Sequence, residues 1–258
     1  MGGRVLNATQ NVSRDGDIVH IPAAPVVSPV DVTDSTGAFT SGTYTPTGVD
    51  LTIDQWRAAP VEITERGSKQ SIASAIAQLP QSLGAALAED IESKILALSS
   101  SVTNKAGDGS GNVGQDEVLA AIQTLGQAKL NPMRNADRFT FVFDYSQFAA
   151  LKKEKMLTDA AYRGTSAGGT ESTEIPNIYG IPTFLTNQVA SGTDGPASAA
   201  TKSNMLFERM AFAWAIQSDI TYRAQKPSDR LTTVHVAHYL AGFKANLVAR
   251  ASLIPSAA

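Results

Sequence analysis

Apolar residues along this chain change their spacing several times, and each change marks a different kind of element. Between Asp17 and Val32 the β-branched residues Ile18, Val19 and Ile21 give way to Pro22, Pro25 and Pro29. Proline removes a ladder donor, so this stretch predicts extended, edge-like chain. Residues 33–48 are almost all Thr, Ser, Gly and Asp with Phe39 and Tyr44 embedded, after which Val49, Leu51 and Ile53 alternate and Val61 and Ile63 resume beyond Pro60. The pattern predicts a long two-stranded hairpin with a polar tip. Two strands are marginal in water without something to pack on, so another chain is expected to supply that surface. Residues 1–15 are polar and aperiodic, the composition of an arm ordered only when something else holds it.

A helical period takes over at Ser68 and runs through Ile72, Ile76 and Leu79, past Pro80, to Leu83, Leu87, Ile91, Ile95 and Leu98. This predicts one long helix, or two meeting at Pro80, stopping in Ser99-Ser100-Ser101, with Asp90 placed to pair with Lys94. A second helix is predicted over 115–130, with Val118, Ile122 and Leu125 as its buried stripe, Asp116 and Glu117 at its positive end and Lys129 at the other. Residues 139–143 read as a strand, and Asp144 or Ser146 as the cap of a helix carrying Phe148, Leu151 and Met156. Gly/Ser/Thr loops over 164–174 and 191–203 flank a further apolar segment at 178–185. Near the end, Phe212, Trp214 and Ile216 alternate with Ala211, Ala213 and Ala215, Val234 and Val236 flank His235, and a last strand is expected over 247–253. The fold class is α+β, and no internal repeat is found.

Composition changes this picture in one respect. Charged residues make up 17% of the 258-residue chain, against roughly 25% in an ordinary soluble protein. The 38 alanines and 46 serines plus threonines stand where Lys and Glu would keep a monomer's surface wet, so the surface is expected to meet neighbours. A net charge of -3 and the lack of a basic stripe exclude a dedicated nucleic-acid reader. The absence of cysteine excludes disulfides, thiolate metal sites and a cysteine nucleophile. The start of the chain has no apolar signal region and no run approaches the roughly 18 apolar residues of a membrane span. A cytoplasmic protein is expected, in which the sequons at Asn7 and Asn11 are chance matches.

Candidate chemistry is sparse. Gly109-Ser110-Gly111-Asn112-Val113-Gly114 satisfies G-x-G-x-x-G before a helix, but the preceding Ser99-Ser100-Ser101-Val102-Thr103-Asn104-Lys105 is not the apolar strand that a dinucleotide site requires. The same loop fails as a calcium site, because Val113 and Leu119 stand where Gly and Glu are needed. His235 and His238, three apart in a strand, point to opposite faces and have no third ligand nearby. Lys152, Lys153 and Lys155, diluted by Glu154, read as a solvated helix end. No nucleophile or acid/base dyad is specified, so no catalytic, cofactor-binding or metal residue is assigned, no cofactor is expected and an enzyme is not.

The order of parts, together with Asn135-Ala136-Asp137-Arg138-Phe139-Thr140-Phe141-Val142-Phe143-Asp144-Tyr145-Ser146-Gln147-Phe148-Ala149-Ala150-Leu151, Ile178-Tyr179-Gly180-Ile181-Pro182, Glu208-Arg209-Met210-Ala211-Phe212-Ala213-Trp214-Ala215 and Tyr239-Leu240-Ala241-Gly242-Phe243, resembles the major capsid proteins of tailed bacteriophages, the Hong Kong 97-type fold. The resemblance covers most of the chain. It implies an N-arm at 1–15, an extended E-loop hairpin at 16–66, the spine helix of a peripheral domain at 67–104, a mainly axial domain at 105–220 and strands returning to the peripheral domain at 221–258. Under it Phe39, Tyr44 and Trp56 are expected at the assembly interface, and Leu83, Leu87, Ile91 and Ile95 in the spine-helix core.

The implied function is an icosahedral shell of hexamers and pentamers around phage DNA, a virion capsid assembled in the host bacterial cytoplasm. Its implied partners are other copies of the chain, portal and scaffolding proteins, a decoration protein, and DNA held by weak non-specific contact, with no membrane. An encapsulin, a cellular shell of the same fold, is the alternative, and a surface adhesin or tail-associated binding module a more distant one. The family's self-cross-linking variant needs an E-loop lysine, and the first lysine of this chain is Lys69.

Overall fold

The computed structural model describes residues 1–12, 16–22, 30–32, 48–70, 76–153, 177–196 and 199–257. Among these the strands are β1 (Leu6–Asn7), β2 (Ile18–Pro22), β3 (Gly48–Thr52), β4 (Gln55–Thr64), β5 (Phe139–Phe143), β6 (Thr183–Leu185), β7 (Ser191–Gly192), β8 (Thr201–Glu208), β9 (Phe212–Gln225), β10 (Thr232–Ala245) and β11 (Ala251–Ala257). The helices are α1 (Glu65–Gln70), α2 (Leu79–Ala97), α3 (Gln115–Gln127) and α4 (Tyr145–Leu151), with short 3-10 turns between elements.

Two sheets organise the chain. The first has the order β1-β9-β10-β4, with β1 parallel to β9 and the other pairs antiparallel. The second has the order β11-β8-β5-β6, with β5 and β6 parallel and β7 pairing β8. Strand β5 shows why a continuous apolar run forms here: Phe139, Phe141 and Phe143 face one core with α3 and α4, and Val142 faces another with Met205 and Phe207. Both faces are covered, so all five of its residues are buried. The Asp144 carboxylate accepts the Ser146 N–H at 2.9 Å and caps α4. Phe148 and Leu151 of that helix are buried, and Met156 lies outside the described residues.

Helix α2 answers the question left at Pro80. Leu79 opens the helix and Pro80 sits in its first turn, where a missing N–H breaks no intrahelical bond. Leu83 and Leu87 pack on Ala237, Tyr239 and Ala241 of the first sheet, while Ile95 and Leu96 enter the core shared with β5 and β8. Ile91 is half-buried and touches both groups. Ile72, in the predicted first part of the helix, lies outside the described residues.

Several expectations change. The described hairpin pairs only β2 with β3, Ile18 opposite Thr52 through Pro22 opposite Gly48. The next strand, β4, leaves it and pairs β10 along ten residues, from Gln55 opposite Ala241 to Thr64 opposite Thr232. Alternation marks a strand but not its partner, which is why a hairpin running to residue 66 looked continuous. The hairpin base also has a core within its own chain, because Val19, Ile21, Leu51 and Ile53 are buried against Ala8, Ala213 and Ala215. The N-terminal segment is likewise held by its own subunit, with Leu6 in register with Ala213 and Val5 buried.

Strand pairing does not divide the last third of the chain at residue 220. Strand β9 runs through that position as one strand of the first sheet, and the last strand joins the second sheet instead of returning to the first. That strand begins later than expected, since Val248–Arg250 form a 3-10 turn. Pro255 is accommodated because β11 is an edge of its sheet.

Replacing Leu87, 3% exposed, with Ala is expected to cost about 2 to 5 kcal/mol through lost packing and the cavity left behind. Leu87→Asp adds an unpaired buried charge and is expected to abolish the cooperative melt, since a domain's whole stability is about 5 to 15 kcal/mol. Circular dichroism melts of both variants check this; a wild-type melt for Leu87→Asp would overturn the placement of the helix.

Candidate assembly interface

No enclosed reaction site emerges among the described residues; the informative surfaces are faces and edges. In β4, alternation turns Ala59 and Val61 toward α2 and leaves the even-numbered positions on the opposite face. Trp56 is one of these. It stands opposite Leu240 of β10 and is 76% exposed. A lone exposed apolar residue is ordinary on any protein. Here, however, the exposed large apolar side chains include Ile18, Val30 and Val32 in or near the hairpin, Trp56 on an edge strand and Leu231 in the β9–β10 turn. Of the exposed large apolar side chains among the described residues, Trp56 and Leu231 are the most accessible, at 76% each. An open groove of about 650 Å³ runs beside that turn, lined by Glu65, Arg66, Lys69 and Leu231. Phe39 and Tyr44 lie outside the described residues.

Behind Trp56 is a polar knot that periodicity did not announce. Asp90, on α2, accepts the Arg57 Nε–H at 3.1 Å and an Nη2–H at 3.2 Å, and it also accepts the Tyr239 hydroxyl at 2.7 Å. The expected Asp90–Lys94 pair is replaced by these three bonds, which join helix α2 to β4 and β10. Burial alone would raise the Asp90 pKa, but the hydrogen bonds from Arg57 and Tyr239 and the nearby positive charges outweigh it and the value falls. The phenol of Tyr239 moves the other way, raised first by burial and then by its bond to the carboxylate. Its ring is fully buried, so the hydroxyl depends on Asp90 for its partner.

The polar groups that the sequence offered as candidate chemistry are occupied in structural ways. His235 Nδ1 lies 2.5 Å from the Tyr222 hydroxyl, and His238 lies 3.1 Å from Thr221 Oγ1. No group of three His, Cys, Asp or Glu side chains that could hold a metal occurs among the described residues. At the Gly109–Gly114 loop, the Val113 N–H donates to Gln147 Oε1 and the Gly114 N–H to Glu117 Oε2, both at 2.9 Å. A phosphate would need such donors, and these two are taken. Lys152 lies over the Phe148 ring at 5.1 Å, while Lys155 lies outside the described residues. None of the described helices is long and apolar enough to cross a membrane.

Comparison with known proteins bears on what such surfaces are for. A family model described as "Phage capsid protein" matches residues 48–245. Among solved structures, the chain is similar to one from Mycobacterium phage Che8, with a TM-score of 0.72 at 20% identity, covering 97% of this chain and 89% of that one. It is similar also to the capsid of the cyanophage P-SCSP1u, with a TM-score of 0.73 at 14% identity over 98% and 86% of the two chains. A third likeness is to the capsid of Ralstonia phage GP4, with a TM-score of 0.64 at 13% identity over 99% and 87%. No curated protein matches by sequence.

The Asp90 knot predicts a specific coupling. Asp90→Ala strands the buried Tyr239 hydroxyl and is expected to cost about 1 to 3 kcal/mol, whereas in a Tyr239→Phe background the same change should cost less. Because folding lowers the Asp90 pKa, its contribution is fully present above the ordinary carboxylate value and is lost as pH falls through the depressed one. Denaturant melts of the four proteins at neutral pH and at about pH 2 check both points; equal costs in the two backgrounds would show that the hydroxyl has another partner.

Proposed function

The chain belongs to the phage capsid protein family and has the Hong Kong 97-like fold, and from that premise we propose that it builds hexamers and pentamers that close into the icosahedral shell around phage DNA. One observation carries the reading: the family match over 48–245 spans α2, three strands of the first sheet (β4, β9 and β10), β5, β6 and β8 of the second, and the returning strand β3 of the hairpin. Encapsulin, adhesin and tail-module readings have no comparable support, because the family description and the similar structures reported above are of phage or their capsids. A capsid protein of this family is a structural component of the virion, and its first partner is another copy of itself.

In this reading the first sheet with α2 is the peripheral domain and the second sheet with α3 and α4 the axial domain, with residues 1–15 as N-arm and the hairpin that begins at 16 as E-loop. Phe39, Tyr44 and Trp56 are assigned to contacts between subunits. Portal, scaffolding and decoration proteins complete the proposed partner set, DNA is touched weakly and without sequence preference, and assembly takes place in the host cytoplasm. Low charge density supports the reading, since a shell subunit devotes its surface to contacts.

Purified protein at near-physiological salt and high concentration, supplied with its scaffold if required, is expected to sediment as capsomers or closed shells, visible by negative-stain microscopy. Boiling those shells in SDS should return a single 27.1 kDa species, because neither cysteine nor an early lysine is available for covalent linkage. A monomer that persists under all these conditions would overturn the proposal.

Trp56→Ser separates assembly from folding. A substitution at so exposed a position changes subunit stability by no more than about 0.5 kcal/mol, so melting should be unchanged while shell yield falls. Wild-type yield would remove Trp56 from the interface.

A further inference from the structure

The described hairpin packs on the first sheet where Ala213 and Ala215 of β9 and Gly242 of β10 let it come close, with Leu240 and Leu6 beside them. Along β9 the large residues Phe212, Trp214 and Ile216 turn toward the cores that receive α2, and Ala213 and Ala215 turn toward β2 and β3. On β10 the residue opposite Ala215 is Gly242. A Cβ placed on Gly242 would stand 2.3 Å from the Thr52 carbonyl oxygen and 2.7 Å from Leu51 Cδ2. Backbone of β3 therefore crosses backbone of β10 at this point with no side chain between them. A carbonyl oxygen on the main chain cannot rotate away as a flexible side chain can, so a methyl group here would lift the base of the hairpin by about 1 Å, to ordinary contact distance.

Two further observations locate the pivot at the same place. The β9–β10 register shifts on both sides of Leu240, two residues before Gly242, and such bulges bend a strand and increase its twist. The hairpin base is then tied down from the other side, where the Ile53 N–H donates to the Asp17 carbonyl at 2.7 Å and Gln217 Nε2 donates to the Gly16 carbonyl at 3.0 Å. The first bond closes the base of the hairpin on itself, the second ties its entry to β9, and the glycine sets how closely the base can approach.

We propose that Gly242 is a positioning residue for assembly: by admitting the Thr52 carbonyl against β10 it fixes the angle at which the hairpin leaves the subunit, and through that angle the curvature of the shell. This rests on the shell reading above. The 25 residues between Pro22 and Gly48 allow an arm of up to roughly 40 Å at about 3.3 Å per residue. Lifting one end of a base about 13 Å long by about 1 Å tilts the arm by roughly 5° and moves a contact at its far end by about 3 Å. That exceeds what a well-packed contact tolerates.

The experiment compares particle diameters from wild type and Gly242→Ala, assembled in parallel and measured by electron microscopy, with circular dichroism of the subunits. A subunit that is merely destabilised yields fewer shells of the wild-type diameter. A subunit whose hairpin is re-aimed yields shells of different diameter, or open sheets and tubes, at comparable capsomer yield, and that is the result expected. Shells of unchanged diameter from a folded Gly242→Ala would overturn the proposal. If Gly242→Ala does not fold, Ala215→Gly, which lowers the seat beside it, takes its place; a shifted diameter supports the pivot and an unchanged one overturns it. Absence of shells from wild type itself would instead count against the shell reading.

Discussion

One helix buried against two sheets holds this subunit in shape. The Leu83 and Leu87 side of α2 rests on β10, and two turns later Ile95 and Leu96 enter the core between the first sheet and β5, β8 and β11. Because the same rigid rod takes part in both cores, neither sheet can shift without disturbing packing that interiors resist. The Asp90 knot stands at the changeover between the two contacts, joining the rod to β4 through Arg57 and to β10 through Tyr239. Its bonds are directional where the surrounding packing is not, so they specify the rotation of the helix as well as its contact. A buried tyrosine hydroxyl with a single good partner penalises any alternative seating.

The first sheet then serves two layers at once, and its composition follows from that. Along β9 it presents Ile216 and Ile220 toward α2 and Ala213 and Ala215 toward the hairpin, while β10 presents Tyr239 between Ala237 and Ala241 toward α2 and Leu240 and Gly242 toward the hairpin. On β9 the large residues fill space beside the helix, whereas the small ones let a second pair of strands approach closely. The alternation of alanine with larger residues at 212–216 is thus a record of which face of β9 carries the hairpin. The high alanine content that at first suggests only a surface made for neighbours is partly spent inside the subunit.

What could be read from the sequence divides along a physical line. Elements whose signal is local were legible: α2 from the spacing of Leu83, Leu87, Ile91 and Ile95, α3 from Val118, Ile122 and Leu125, β5 from its aromatic run, and the α4 cap from Asp144. Elements whose identity depends on a distant partner were not. Val61 and Ile63 mark a strand equally well whether it continues the hairpin or pairs β10, and only the register with His235 and Thr233 decides. The last strand starts later than its pattern suggests because Leu247, Val248 and Ala249 are as apolar as the strand that follows, although they lead into and form a 3-10 turn. Asp90 was assigned to Lys94, its neighbour four residues on, because the competing Arg57 and Tyr239 lie 33 and 149 residues away in sequence. Trp56, an aromatic within the region expected to meet neighbours, stands 76% exposed. Gly242 could not be found at all, since a glycine in an apolar strand signals close approach of something without saying what.

The same division explains why covalent reinforcement is not needed in this reading. A hairpin with no core of its own would have to be fixed by its neighbour, and a chain without cysteine or an early lysine has no covalent means of doing so. Here the base is already fixed by four buried apolar residues and two backbone-directed hydrogen bonds within the subunit, so a neighbour has only to receive a hairpin whose base is set. Ordering the base in advance removes part of the entropy that association would otherwise have to supply. Each contact between subunits can then be weak. Many weak contacts in a closed assembly reinforce one another, because once some are made the rest form at high effective concentration. A misplaced subunit, held by only a few of them, can still leave. On this argument the decisive quantity for closure is the direction of the arm more than the strength of its grip, and direction is set where β3 crosses β10.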